Sequence, residues 1–377
     1  MNYELRYFDI NLLRFSATES SDIPDVTIIS VNEPARRFLP LDMELSAAGI
    51  ARWLKHRTIP KNRAYVNAFL SKCGLNPNRP MNTLRVSKGL SLNDCYWIVE
   101  EGFSGTFDQY NLYDNAFSQI LALIAFTGYG SSVRSGLTSS PEFTTNGMLP
   151  KCWRRQSGNI LLYKGGTQGA SNTGFEPYSE YYAAQIAKVL NVNAIPYGLS
   201  KWKGELCSTC ELFTSKEYSF MPVGRIVREG GLATVYKYYE SLGTTYSDAL
   251  ADMLVFDAVI YNTDRHFGNF GFLVDTKSNT ICAPAPLFDH GNSLFNLAGL
   301  DTFASAEALS EYAAQQWPRS YDDFVTAAQR VMTHRHREGL RKLLEFRFKR
   351  HPRYNLPPQR LNLIESHIQA RARQLLG

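Results

Sequence analysis

Between Leu250 and Gly291 the chain runs through an order of elements that few folds accommodate. Leu250, Met253, Leu254, Ala258 and Tyr261 recur at helical spacing and predict an amphipathic helix. Asp257 sits on its apolar side, where a carboxylate is costly unless hydrogen-bonded. The helix runs into the polar loop Asn262-Thr263-Asp264-Arg265-His266-Phe267-Gly268-Asn269. A strand over Phe270 to Val274, a turn at Lys277-Ser278-Asn279 and a returning segment over Thr280 to Phe288 then lead to Asp289-His290-Gly291. A hairpin carries the chain out and back, so Asp289 is expected to return beside Asn269.

Phosphoryl transfer from ATP asks for a carboxylate at the acceptor hydroxyl, oxygen ligands for Mg²⁺, a lysine on the phosphates and a loop covering them. Asp264 suits the first task, and Asn269 with Asp289 the second. Residues 130–176 are dense in Ser, Thr and Gly and are punctuated by Pro141 and Pro150, so they should be mostly loop. Within them Asn159 to Lys164 reads as a buried strand ending in a lysine. Pro177 then opens a helix in which Ala183, Ile186, Ala187 and Leu190 share a face. Glu180 lies one turn earlier on that inward stripe and needs a cation, for which Lys164 is the expected partner. Singly, Asp264, Asn269 and Asp289 are residues that favour turns anyway. In this order, with His266, Lys164 and Glu180, they argue for chemistry.

The run Asn262 to Asn269, followed by Leu287-Phe288-Asp289, resembles the HipA-like kinases, bacterial serine/threonine kinases that include persistence toxins. Their core reads N-x-D-x-H-x-x-N, then an Asp after a hairpin. Upstream, Asn146-Gly147-Met148-Leu149-Pro150-Lys151 is similar to the family's phosphate loop S-G-x-x-x-K except at its first position. Lys164 matches the lysine of the I-x-K strand, Glu180 the acidic residue of the next helix, and Glu211-Leu212-Phe213 the hinge that contacts adenine. The resemblance implies an α+β, two-lobed protein-kinase-like fold with an N-lobe over 131–213 and a mostly helical C-lobe over 214–377. Residues 1–130 are then a mixed α/β extension in which the toxins' small barrel is not recognisable, so the chain looks closer to compact variants of the family, a C-terminal-domain kinase.

ATP and Mg²⁺ are the implied cofactors. Asp264 is the implied catalytic base and His266 the support of its loop. Asn269 and Asp289 are the implied metal ligands, and Lys164 the clamp on the phosphates. Gly147, Lys151, Glu180, Glu211 and Phe213 complete the implied nucleotide site. The implied acceptor is a Ser or Thr of a protein, the chain itself included. Family members modify a phosphate-loop serine where Asn146 stands here, so Ser139, Ser140, Thr144 and Thr145 are the candidates. A DNA-binding antitoxin is the implied partner, with nucleic acid met only through it. Asp264-Arg265-His266 is also similar to the D-R-H-x-x-N loop of phosphoinositide kinases. A lipid or small-molecule acceptor therefore stays open, as does a non-catalytic nucleotide-binding regulator, though the intact Asp264/Asn269/Asp289 set argues against the latter.

The chain's 377 residues suggest two to three domains at about 150 residues each. No run of about 18 apolar residues exists, Ile120 to Phe126 being far too short, so no membrane insertion is expected. Met1-Asn2-Tyr3-Glu4 lacks the order of a signal peptide, and six cysteines are too sparse for a disulfide scaffold. These features predict a cytoplasmic protein with reduced thiols. Of the net charge of +5, His334 to Arg360 carries a local +7, nine Arg or Lys against Glu338 and Glu345. Because Leu340, Leu343, Leu344 and Phe348 recur between the charges, a solvated helix face is expected rather than a nucleic-acid surface.

Cys207-Ser208-Thr209-Cys210 lacks a second pair for zinc. Gly165-Gly166-Thr167-Gln168-Gly169 lacks a Walker lysine and reads as a flexible strand-to-helix connection. Residues 1–45 predict short strands (Leu5 to Leu13, Val26 to Val31), and Ser46 to about Phe126 a helical region. Ser91-Leu92-Asn93-Asp94 within it has the form of a capping box.

Overall fold

The computed structural model describes residues 1–18, 23–133, 136–170 and 172–377. Part of the turn expected before Val26, and Arg134, Ser135 and Ser171 of the loop region, lie outside them. The chain divides into two compact units. One holds Met1–Lys164, Leu212–Met221 and Leu273–Cys282, the other Gly165–Glu211, Pro222–Phe272 and Ala283–Gly377.

In the first unit, Asn2–Tyr7 pairs antiparallel with Ile10–Ala17 on one side and Tyr96–Glu100 on the other, and Ile10–Ala17 also pairs with Val26–Val31. The expected strand Leu5 to Leu13 is therefore a hairpin, turning at Phe8, whose φ is +48°. Alternation explains the register, since Tyr3, Leu5 and Tyr7 are buried while Asn2 is exposed. Leu5 faces Leu13 and Ile98 across the two ladders, and that face packs with Ile50, Leu54, Trp97 and Phe107. The strand Tyr96–Glu100 interrupts the region expected to be helical. The residues before it form a turn and not a helix cap: Asn93 N–H donates to Ser91 Oγ, and Tyr96 N–H to Asp94 Oδ1. Tyr-Trp-Ile-Val is a run of strong strand formers, and it outweighs the capping pattern.

A second cluster joins Phe69 of the helix Val66–Lys72, Leu121 of the helix Gln119–Thr127, and Phe143. Phe143 belongs to the stretch expected to begin a separate lobe, and its burial here removes a boundary at residue 130. The strands Lys151–Gln156 and Asn159–Gly165 form a hairpin closed by Ser157 and Gly158, both with positive φ, as a two-residue turn matching strand twist requires.

The second unit is mostly helical. Its long helix Thr244–Ile260 is buried from Leu250 onward except at the half-buried Asp252, rather than amphipathic as its spacing predicts. The helix Glu176–Leu190 packs against it and against His334–Lys342. The strands Gly198–Trp202 and Glu205–Glu211 pair antiparallel. The basic stretch is not one solvated helix face. Leu340, Leu343 and Phe348 are buried, the helix ends at Lys342, Arg335 pairs with Asp252, and Arg347 pairs with the buried Glu365. Arg360 is buried between the rings of Phe175 and Phe303. Among the described residues, no helix is long and apolar enough to cross a membrane.

Candidate active site

The helix Thr244–Ile260 ends with Tyr261 in the left-handed region, which turns the chain sharply into the loop. Asp257, the carboxylate on its apolar side, finds its partner in Arg265. The guanidinium meets it through two bonds, Nε to Oδ2 at 2.9 Å and Nη2 to Oδ1 at 3.0 Å, both side chains fully buried. Burial works against the charge of Arg265, but the facing Asp257 carboxylate prevails and holds its pKa above the ordinary value. The remaining donors fasten the rest of the site. Nη1 donates to the carbonyls of Asn269 (3.2 Å) and Phe288 (2.6 Å), and Nη2 lies 3.1 Å from His290 Nδ1. One nitrogen thus bridges the carbonyls of Asn269 and of Phe288, the residue before Asp289.

Asp264 is held from three directions. Its N–H donates to Asn262 Oδ1 at 3.2 Å, and Asn262 Nδ2 in turn donates to Asp257. Its Oδ2 accepts from Asn292 Nδ2 (3.1 Å) and its Oδ1 from Arg319 Nη1 (2.5 Å). His266 Nδ1 accepts from Gly268 N–H at 3.1 Å, a local brace of the loop. Burial lowers the pKa of His266 despite the nearby Asp264 and Asp289 carboxylates, so the ring is neutral and can accept. Asp289 adopts φ +59°, a left-handed conformation that Asp tolerates better than most residues, and its N–H donates to Tyr197 Oη at 3.1 Å. Burial, with Glu180, Cys210 and Asp289 nearby, pushes the Tyr197 phenol well up. Glu180 is fully buried and accepts the Ser208 hydroxyl. A Cβ on Gly291 would sit 3.2 Å from Glu176 Cβ and 3.7 Å from Glu180 Oε1, so a small residue there lets the Asp289 segment approach this helix. The Gly-rich connection is tied down too, Thr167 bonding to the Glu176 carboxylate through N–H and Oγ1.

The phosphate-loop residues lie in the first unit. Lys151 and Lys164 are direct partners across the hairpin ladder, and both are 5% exposed. Lys151 Nζ donates to Asn146 O at 3.0 Å beneath the loop. Gly147 has φ +94°, a conformation that favours glycine, and a Cβ there would fall 2.3 Å from the movable Lys151 Nζ. Arg63 organises the loop from behind. It donates to the carbonyls of Glu142 (3.3 Å), Thr145 (3.1 Å) and Lys151 (2.5 Å), and burial lowers its pKa to about 10 against the pull of Glu142. Ser140 is buried and bonded to the Glu142 carboxylate, and buried Thr144 donates to Leu90 O. Ser139 and Thr145 are half-buried, donating to Ser87 O and Pro141 O. The hinge expected at Glu211-Leu212-Phe213 falls where the chain passes between units; Glu211 is exposed and Phe213 packs edge-on to Phe220. Lys164 and Glu180 belong to different units.

Sequence reasoning did not find Arg63, Tyr197, Asn292 or Arg319. Among the described residues no group of three or more His, Cys, Asp or Glu could hold a metal. The Asn269 and Asp289 oxygens instead suit Mg²⁺, which binds through one or two carboxylates plus phosphates and water.

No family model matches the chain, and no curated protein matches its sequence. Solved structures do match in fold. One is described as the toxin–antitoxin system HipA, HipB and its operator DNA complex of Shewanella oneidensis; the match covers 100% of this chain and 97% of that one, at 13% identity and a TM-score of 0.54. Another is the Helicobacter pylori proinflammatory kinase CtkA, matched over 62% of this chain and 90% of that one, at 16% identity and a TM-score of 0.46. The whole-chain likeness defines the class: an α+β kinase-like fold. Within that class the fold is of the HipA-like type.

Proposed function

We propose that this chain is an ATP- and Mg²⁺-dependent serine/threonine protein kinase of the HipA-like type, acting in the cytoplasm. The observation that carries the reading is the Arg265 guanidinium, which ties Asp257, Asn269 and Phe288 into one buried junction beside Asp264. In this reading Asp264 accepts the proton of the acceptor hydroxyl as its oxygen bonds to the γ-phosphorus and the bond to ADP breaks. Asn269 and Asp289 would hold the Mg²⁺, whose charge would offset the charge on the phosphate oxygens. Lys151 and Lys164 grip phosphates, Gly147 lets the backbone cover them, Glu180 orients Lys164, and Glu211 and Phe213 border the adenine.

Incubation with labelled ATP and Mg²⁺, comparing wild type with Asp264→Asn, tests this. Label on the wild-type chain or a protein acceptor, lost in the variant, is the expected result. Nucleotide binding without transfer to protein overturns it in favour of a lipid or small-molecule acceptor, or of a non-catalytic regulator.

Self-modification is proposed between Ser131 and Lys151. Because Ser140 and Thr144 are buried and bonded, Ser139 and Thr145 are the better candidates. Phosphopeptide mapping that finds no phosphate in that interval removes this part. The HipA neighbour's structure includes HipB and operator DNA; by analogy a DNA-binding antitoxin is the proposed partner, checked by co-purification with its neighbouring gene product.

A further inference from the structure

Asp264 carries a partner that its role as a base does not require. Asn292 already engages Oδ2, yet Oδ1 accepts from Arg319 Nη1 at 2.5 Å. The Arg319 side chain is 60% exposed and that of Asp264 30%, so the guanidinium covers the carboxylate from the solvent side. A guanidinium carries five donors in a fixed fork, and those not aimed at Asp264 remain for a second anion. Arg319 lies in irregular chain between the helices Ala306–Ala314 and Phe324–Val331. Just after it, Ser320 Oγ donates to the Arg265 carbonyl at 2.7 Å and fastens the segment to the catalytic loop. Just before it, Trp317 is 62% exposed. The segment is anchored by Ser320 on one side of Arg319, while on the other Pro318 is buried and Trp317 stands exposed.

We propose that Arg319 is a specificity-determining residue that recognises an acidic side chain adjacent to the acceptor hydroxyl of a protein substrate. The proposal rests on the kinase reading above. A half-exposed ion pair is held weakly, so a carboxylate on the incoming peptide draws the guanidinium to itself and leaves Asp264 Oδ1 open to the hydroxyl hydrogen. A neutral acceptor must lift Arg319 away with nothing in return. Arg319 thus acts in two places at once, covering the base when no acceptor is bound and reading charge when one arrives.

The test uses the full-length protein and serine peptides that differ only by Glu or Gln beside the serine. Transfer is measured as kcat and KM for wild type, Arg319→Lys and Arg319→Ala, with Arg319→Gln as a second uncharged variant should the alanine protein fail to fold. Wild type should favour the acidic peptide at least about threefold, chiefly through KM, and added salt should erode that preference. Lysine should keep the preference, and alanine and glutamine abolish it. Equal discrimination in wild type and the uncharged variants, or no discrimination in wild type, overturns the proposal. Anisotropy of the same peptides, labelled and read without ATP, separates the two claims. Arg319-dependent binding of the acidic peptide without any transfer sinks the kinase reading and keeps the recognition; transfer without discrimination does the reverse.

Discussion

In one unit the loop from Asn262 to Asn269 is built around Arg265; in the other the loop from Glu142 to Lys151 is built around Arg63. Both guanidinia are buried, and both fasten backbone carbonyls of a loop that has little regular structure of its own. They differ in what balances the charge. Arg265 faces Asp257 through two bonds, and its pKa rises despite burial. Arg63 is held by carbonyl dipoles, its Nε has no partner among the described residues, and burial brings its pKa down to about 10. A buried charge paired in fork geometry fixes its surroundings firmly, whereas one held only by carbonyls remains a cost that the loop's order must offset. The residues proposed as base and metal ligands are therefore set on the firmer hub, and the segment proposed to cover phosphate on the looser one.

The contrast predicts unequal damage. Arg265→Ala strands Asp257 in the core and should cost about 3–5 kcal/mol of stability, the range for breaking a buried pair. Arg63→Ala strands carbonyls but no opposed carboxylate in bonding contact, and should cost about 2–3 kcal/mol. Urea unfolding of both variants beside wild type measures the two. Equal losses would erase the distinction between the hubs.

What could be read in advance follows the same division. Asp257 announced itself as a carboxylate on an apolar stripe, and its need for a cation is met within the motif by Arg265. The hairpin was legible because its turn residues are strong local signals; Asn279 closes it at φ +56°. Arg319 was not legible, since it reaches Asp264 from 55 residues away and lies in irregular chain that carries no periodicity. Arg63 was hidden for the same reason, its partners lying 79 to 88 residues downstream. The capping pattern at Ser91 misled because a hydroxyl and a carboxylate three apart serve a turn as well as a helix start.

The looser hub can be probed within its own loop. Gly147→Ala imposes a side chain at φ +94° and drives a methyl group onto Lys151 Nζ. Strain of about 1–2 kcal/mol should appear as a roughly tenfold weaker affinity for ATP, measured by calorimetry with Mg²⁺ present. An unchanged affinity would dissociate Lys151 from nucleotide binding.

The smallest effect sharpens the firmer side. His266 is neutral in the folded protein because burial lowers its pKa, and its Nδ1 accepts the Gly268 N–H. Above about pH 6.5, the ordinary value, neither the folded nor the unfolded chain protonates it and it adds no pH dependence. As the pH falls below that value the unfolded chain takes up a proton that the folded loop resists, so stability declines by at most about 1.4 kcal/mol per pH unit. His266→Asn keeps an acceptor near Nδ1 but cannot titrate. Its melting temperature should fall less steeply than wild type between pH 6.5 and 5. Buried His367, lowered to about 4, contributes equally to both proteins and cancels from the difference. Parallel curves would mean that His266 is protonated in the folded loop, and with its acceptor nitrogen lost the brace on Gly268 would have to be of another kind.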